Sequence, residues 1–412
     1  MEADIADGLD KGRLTKIGKH RPEPVRARPL AESVLRLIWQ ERQISRAEIA
    51  RRFGLSRSTV TEIMKELLQT GLVAEVGTGE SVGGRRPIIL EFQDEAATVL
   101  GVDIGATHIA VALTSLRGRL LAWEEVRYPV RNDPEGTISQ AIKLSDACLA
   151  KRGRRLVRIG VAVPSPVDPL HPEWLPEVVI PAWRGRNELA RLHEYYDVPM
   201  HIDNDANLGA LAEYWRGAGP TVDDLIYIKM GLGIGAGYIL GGKIYRGAGG
   251  FAGEIGHLSI DPKGRPCVCG LKGCLVTLVG AEALLSRAKT LLSNHPKSVL
   301  AGKAITIDAI ENAVLFGDKL ALQIVREAAE HLGIAIASWC NLMNPGMVVL
   351  GGGLAGVGER LLKPLREKVE RSTLVSSAAA QIRTSELGTK AVAMGAATLA
   401  TEAAFDEPSF FR

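Results

Sequence analysis

"TVLGVDIGATHIAVALTSLRGRLLAWEEV", residues 98–126, reads as a β-strand, a tight glycine turn, a second strand and a third. Short apolar, β-branched runs separated by glycine turns are the signature of strands. After "FQDEAA" such strands alternate with amphipathic helices along the rest of the chain. That alternation argues for an α/β domain. Asp103 stands at a strand end before Gly105 and Thr107, an arrangement that can set a phosphate group against backbone N–H donors. A second turn of this kind, "IYIKMGLGIGAGYILGGKIYRG", carries Gly231 and Gly233, and a third lies in "PGMVVLGGGL". Tight hairpins also need glycine, so the turns alone do not decide between ligand and hairpin.

Between the first two glycine turns lies "VPMHIDNDANLGALAEYW", in which a strand delivers Asp203, Asn204 and Asp205 to a turn before a helix. A carboxylate beside a carboxamide at a strand end suits paired hydroxyls, and Asp205 can also accept a proton from one. Capping of the helix is the other reading of the same residues.

The segment "GHLSIDPKGRPCVCGLKGCL", residues 256–275, holds one histidine and three of the five cysteines of the chain. His257, Cys267, Cys269 and Cys274 form a four-ligand set without an open position, which predicts a closed, structural zinc site. Gly264, Gly270 and Gly273 let the loop fold back around a metal. Cys148 and Cys340 sit in apolar helical settings and read as plain core residues.

A chain of 412 residues with 46% hydrophobic and 24% charged residues has the balance of a soluble globular protein of two or three domains. No apolar run reaches the ~20 residues needed to span a bilayer. Residues 1–16 show no apolar stretch of a signal peptide. A cytoplasmic location is expected, with no membrane partner. There, clustered cysteines read as metal ligands rather than disulfides.

The net charge of +3 conceals a split. Residues 11–90 carry 16 Lys and Arg against 8 Asp and Glu, an excess of +8, while residues 1–10 carry −4 and residues 91–412 carry 34 against 35, or −1. A concentrated excess is the footprint of nucleic acid, although a solvated basic surface gives the same count.

Within that block, residues 30–92 contain three short helical stretches. Ser45 and Glu48 make a capping box, Gly54 ends the second helix and Ser56 caps the third. In the third, Val60, Ile63, Leu67 and Leu68 form an apolar stripe, with Arg57, Ser58, Thr59, Thr61 and Lys65 off it. The spacing is that of a helix-turn-helix, whose second helix meets base edges in the major groove of double-stranded DNA through its N-terminal end. Two β-like stretches, "LVAEVG" and "PIILEF", follow as a wing with Arg85 and Arg86 at its tip, placed for phosphate or minor-groove contact. Residues 1–29 read as a mobile basic tail.

Taken in order, "DIGATH", "VAVPSPVD", "DNDAN", "GLGIGAG", "GEIGH", "CVCGLKGC" and "VVLGGGL" resemble the ROK family of repressors, open reading frames and kinases. The resemblance covers residues 97–402, with the zinc loop at 257–274 and a short tail at 403–412; the winged unit at 30–93 is what the family's repressor branch adds. It implies a two-lobed actin-like/hexokinase-like fold, a sugar between the lobes, and a homodimer or homotetramer. By that resemblance Asn204, Asp205, Glu254 and His257 are sugar ligands, and Asp205 matches the catalytic base of the family's kinases. With one ring nitrogen of His257 on the zinc, the other is free for a ligand hydroxyl.

Three positions depart from the family pattern. Val276 replaces a common glutamate, and Ala106 and Leu232 replace a glycine and a threonine in the phosphate turns of the kinases. The expected function is a sugar-responsive DNA-binding regulator of carbohydrate metabolism genes, a repressor rather than an enzyme. The alternative is an ATP-dependent sugar kinase, glucokinase-like or N-acetylhexosamine kinase-like, with an appended DNA-binding domain.

Overall fold

The computed structural model describes residues 30–79, 86–151, 155–172, 183, 188–217, 219–374 and 380–406. The chain divides into two compact units, residues 1–92 with 411–412, and residues 93–410.

The first unit contains α1 (Leu30–Gln40), β1 (Ile44–Ser45), α2 (Arg46–Phe53), α3 (Arg57–Gln69), β2 (Val73–Thr78) and β3 (Ile88–Phe92). The Ser45 hydroxyl accepts the Glu48 N–H, and the Ser56 hydroxyl accepts the Thr59 N–H. Gly54 closes α2 at φ 64°, the left-handed region where a side chain is strained. Val34, Leu35 and Ile38 of α1, Ile49 of α2, Val60, Met64 and Leu67 of α3, and Leu90 and Phe92 of β3 are buried together. The strand β1 is absent from the sequence reading, because two residues cannot display a period of two. It pairs antiparallel with β3, giving a sheet of order β1-β3-β2. The tip of the wing, with Arg85, and the tails at 1–29 and 407–412 lie outside the described residues.

The second unit begins with β4 (Thr98–Ile104), β5 (His108–Ser115), β6 (Leu120–Arg127), α4 (Pro134–Ala150), β7 (Leu156–Val163), α5 (Ala190–Tyr196), β8 (Met200–Asn204) and α6 (Asp205–Arg216). It continues with β9 (Leu225–Met230), β10 (Ile234–Leu240), β11 (Lys243–Ile244), α7 (Val276–Val279), α8 (Ala281–Leu292), α9 (Ile307–Leu315) and α10 (Lys319–Met343). The last elements are β12 (Met347–Gly351), α11 (Glu359–Ser372), β13 (Gln381–Thr384) and α12 (Ala391–Asp406).

Two five-stranded sheets result, of order β6-β5-β4-β7-β8 and β11-β10-β9-β12-β13. Each has its first three strands antiparallel and its last two added in parallel. The two sheets therefore repeat one topology, and the lobes are built to the same plan. The helix α12 returns to lie on β4 and β7: a Cβ at Gly101 or Gly160 would strike the backbone carbonyl of Ala393 or Ala396. Only glycine permits that approach of helix to sheet. Each lobe has its own core, around Leu100, Val102, Ile109, Val111 and Val161 in the first and Ile226, Ile228, Ile324, Val348 and Leu361 in the second. Cys148 and Cys340 are fully buried in these cores. No described helix is long and apolar enough to cross a membrane.

Candidate functional site

The ends of β4, β8 and β9 bring four ionisable side chains together. Asp103, near the end of β4, is buried and sits 3.1 Å from Nε2 of His108 at the start of β5. From the other sheet, Lys229 of β9 donates to Oδ2 of Asp205 at 2.5 Å. Burial pushes the Lys229 ammonium down, but Asp205 and Asp103 outweigh it and hold the group above the ordinary lysine value, so it stays charged. Burial likewise pushes Asp103 up; the His108 hydrogen bond and the Lys229 charge reverse this and leave its carboxyl below the ordinary range. For His108, desolvation lowers and the bond to Asp103 raises, with a net rise. One oxygen of Asp103, Oδ1, is buried with no hydrogen-bond partner.

The segment at 203–205 corrects the sequence reading. No turn separates strand from helix: β8 runs to Asn204 and α6 starts at Asp205. Asn204 caps α6, its Oδ1 accepting the N–H groups of Ala206 and Asn207, while Nδ2 donates to the Ser165 carbonyl. Capping therefore engages the carboxamide, and what it can still offer a ligand is its remaining N–H. Asp203 points away from this role, held by Arg246 Nε at 2.8 Å, by Asn207 Nδ2 and by the Asn204 N–H.

His257, Cys267, Cys269 and Cys274 each offer one ligand atom, and all four atoms lie within 4.8 Å of one another, so the cluster can hold a metal ion. The Cys269 and Cys274 sulfurs are 3.6 Å apart and Nδ1 of His257 is 3.5 Å from the Cys267 sulfur. Two thiolates on one tetrahedral zinc at ~2.3 Å stand ~3.8 Å apart, so these separations fit that ion. The loop is held by antiparallel bridges between Ser259 and Cys274 and between Pro266 and Lys272. Gly273 (φ 64°) lies against the Asp261 carbonyl where no side chain fits. With Nδ1 turned to the cysteines, Nε2 of His257 lies 4.0 Å from Oε2 of Glu254. Partial burial and the Asp205 charge raise the Glu254 carboxyl. The metal cluster and the carboxylates Glu254 and Asp205 are thus neighbours.

The glycine turns differ from each other. Gly231 and Gly233 are exposed, and nothing lies within 4 Å of a Cβ placed at Gly233. At Gly105 the imidazole of His108 covers the backbone, and a Cβ there would strike the ring. Thr107 is exposed and Ala106 half-buried. Val276 opens α7 directly after the cysteine cluster and packs against the second core.

In the winged unit Arg57, Ser58, Thr61 and Lys65 are exposed on α3 and Thr59 is half-buried. Ser58 and Thr59 share the Ser56 hydroxyl at the helix start, and Thr61 donates to the Arg57 carbonyl. The arginines of α2 are neutralised, Arg46 by Glu75, Arg51 by Glu48, and Arg52 by Glu41 and Glu48. Among the described residues no carboxylate pairs with Arg57 or Lys65. Arg86 is exposed.

Sequence reasoning missed Lys229, His108 and Arg246. A signal existed for the first: a lysine inside the otherwise apolar strand "LIYIKM", whose neighbours are nearly all buried. Such a cation is retained in a sheet interior only when paired.

The ROK family model matches residues 99–403 and the model of a winged helix-turn-helix DNA-binding domain matches residues 29–74. A xylose repressor of Caldicellulosiruptor bescii is 32% identical over 372 residues, covering 88% of this chain and 92% of that protein. The DNA-binding transcriptional dual regulator NagC of Escherichia coli K12 is 32% identical over 83% of this chain and 84% of its own length. Among solved structures, a ROK family transcriptional regulator homologous to E. coli MLC superposes with a TM-score of 0.75 at 26% identity, covering 91% of this chain and 96% of that one. A ROK family glucokinase from Streptomyces griseus, in complex with glucose and AMPPNP, matches with a TM-score of 0.67 and 31% identity over 74% of this chain and 99% of its own. The kinase thus covers 74% of this chain, against 83–91% for the regulators. With its winged unit, its repeated five-stranded sheets and its His-Cys loop, the chain belongs to the ROK family.

Proposed function

We propose that this chain is a transcriptional repressor whose operator binding is controlled by a small sugar or sugar derivative. The observation that carries the reading is one chain joining a recognition helix, whose exposed Arg57 and Lys65 pair with no carboxylate among the described residues, to a cluster of carboxylates suited to hydroxyls. Asp205 and Glu254 accept from the sugar, His257 and Asn204 donate, and the repressor works as a homodimer or homotetramer in the cytoplasm. Arg57, Ser58, Thr59, Thr61 and Lys65 face the major groove, with Arg85 and Arg86 on the flanking backbone. The metal is one structural zinc on His257, Cys267, Cys269 and Cys274, supported by the all-soft ligand set and its spacing.

The DNA reading is tested by fluorescence anisotropy on a fragment of the protein's own promoter and an unrelated duplex. Arg57→Ala is expected to weaken the operator by ~1–3 kcal/mol and relax base preference, whereas Arg86→Ala should weaken both duplexes alike and reduce the salt slope by about 1. Unchanged affinity in both variants would remove the assignment of α3 and the wing.

The kinase reading is disfavoured by His108, which covers Gly105 where a phosphate would approach, and by Ala106 and Leu232. With ATP and magnesium the protein is expected to phosphorylate neither common hexoses nor N-acetylhexosamines at a sugar kinase's rate. A coupled-assay signal that disappears in Asp205→Asn would restore that reading.

A further inference from the structure

We infer that the effector is an uncharged polyol, a free sugar rather than a sugar phosphate or sugar acid. This rests on the sugar-responsive reading above and narrows it to one chemical class. Donors and acceptors around the cleft are out of balance. Among the described residues the basic groups near it are engaged: Lys229 on Asp205, His108 on Asp103 and Arg246 on Asp203. The remaining basic group, His257, turns Nδ1 toward Cys267.

Acceptors, by contrast, are in surplus. Among the described residues Oδ1 of Asp103 is buried without a donor, Lys229 engages only Oδ2 of Asp205, and Glu254 stands 4.0 Å from His257. Acceptors left open, the buried ones of Asp103 and Asp205 most of all, call for donors, and a hydroxyl is both a donor and neutral. A phosphate or carboxylate brings acceptors only. It would meet the charges of Asp205 and Glu254 with no unengaged cation among these described residues to offset them. Nor does a helix N-terminus rescue it, since Asn204 already occupies the first N–H groups of α6.

The test is calorimetric titration of the full chain with matched pairs: D-glucose and D-glucose 6-phosphate, N-acetylglucosamine and its 6-phosphate, D-xylose and D-xylonate. In each pair that binds, the neutral member is expected to be tighter by at least about tenfold. Glu254→Gln, which removes a charge at an exposed rim position, should narrow that ratio several-fold. An anionic member binding as tightly as its neutral partner would overturn the inference while leaving a sugar-responsive repressor in place. An unchanged ratio in Glu254→Gln would overturn the charge argument. Failure of every member to bind or to alter operator affinity would bring down the sugar reading itself, and this inference with it.

Discussion

Cys274→Ser should abolish binding of the proposed zinc and blunt the response to sugar, while operator binding survives. The Cys274 side chain is fully buried at the centre of the cluster, and burial together with Cys269 and Cys267 pushes its thiol up to about 12. A neutral thiol is a poor ligand, so zinc must displace the proton, and once bound it supplies much of the loop's folding energy. Structural zinc in small finger peptides contributes ~10 kcal/mol or more at neutral pH. Metal analysis is expected to find about one zinc per wild-type chain and none in the variant. Because Cys274 is packed, Cys269→Ser provides the cleaner variant: its thiol is exposed, so the change removes a ligand without disturbing a core. Both should lose the sugar response, since His257 is a ligand and Glu254 lies beside its other ring nitrogen. A zinc-free Cys269→Ser protein that answers sugar with wild-type affinity would show that the metal does not brace the cleft. Loss of operator binding alone would move its influence to another surface.

The second large effect concerns Lys229. Lys229→Met keeps most of the aliphatic stem and removes the charge, leaving Asp205 without its cation and Asp103 with His108 alone. Breaking a buried pair from one side costs ~3–5 kcal/mol, because the partner's charge stays behind unpaired. The double variant Lys229→Met/Asp205→Asn removes both charges and should recover most of that loss. Calorimetric melting of the two single variants and the double variant measures the coupling directly. Additive losses would mean that the two groups do not act as a pair, and the cleft's charge balance would need another account.

Much of this molecule is written in short stretches. Ser45, Gly54 and Ser56 punctuate the winged unit because a cap is a contact between residues two to four positions apart. The strand-turn-strand at 98–126 is equally local, since alternation of apolar and turn residues is enough to define it. His257 and the three cysteines fall within eighteen positions, so metal-ligand spacing is visible before any fold is known. Where two readings stood open, the structure drew on residues far along the chain. Asn204 sits at a strand end that suits either a ligand or a cap, and the Ser165 carbonyl, 39 residues away in sequence, helps fix it as a cap.

By itself, then, the amino-acid sequence determined the winged unit followed by an α/β domain, the gathering of His257 with three cysteines, and the family, because each depends on periodicity or spacing along the chain. Only the tertiary structure decided the cleft's electrostatics. Lys229 meets Asp205 and Asp103 because the central strands β4 and β9 of two separately wound sheets end close together, and α12 draws the first sheet's backbone close through Gly101 and Gly160. No local pattern encodes that meeting. The His108 ring over Gly105 and the unpartnered Asp103 oxygen likewise follow from side-chain packing at the β4–β5 turn, which the residue types alone do not specify. Charge pairing acts through space and is strongest where water is excluded, so which carboxylates remain open to a ligand is set by packing rather than by order along the chain.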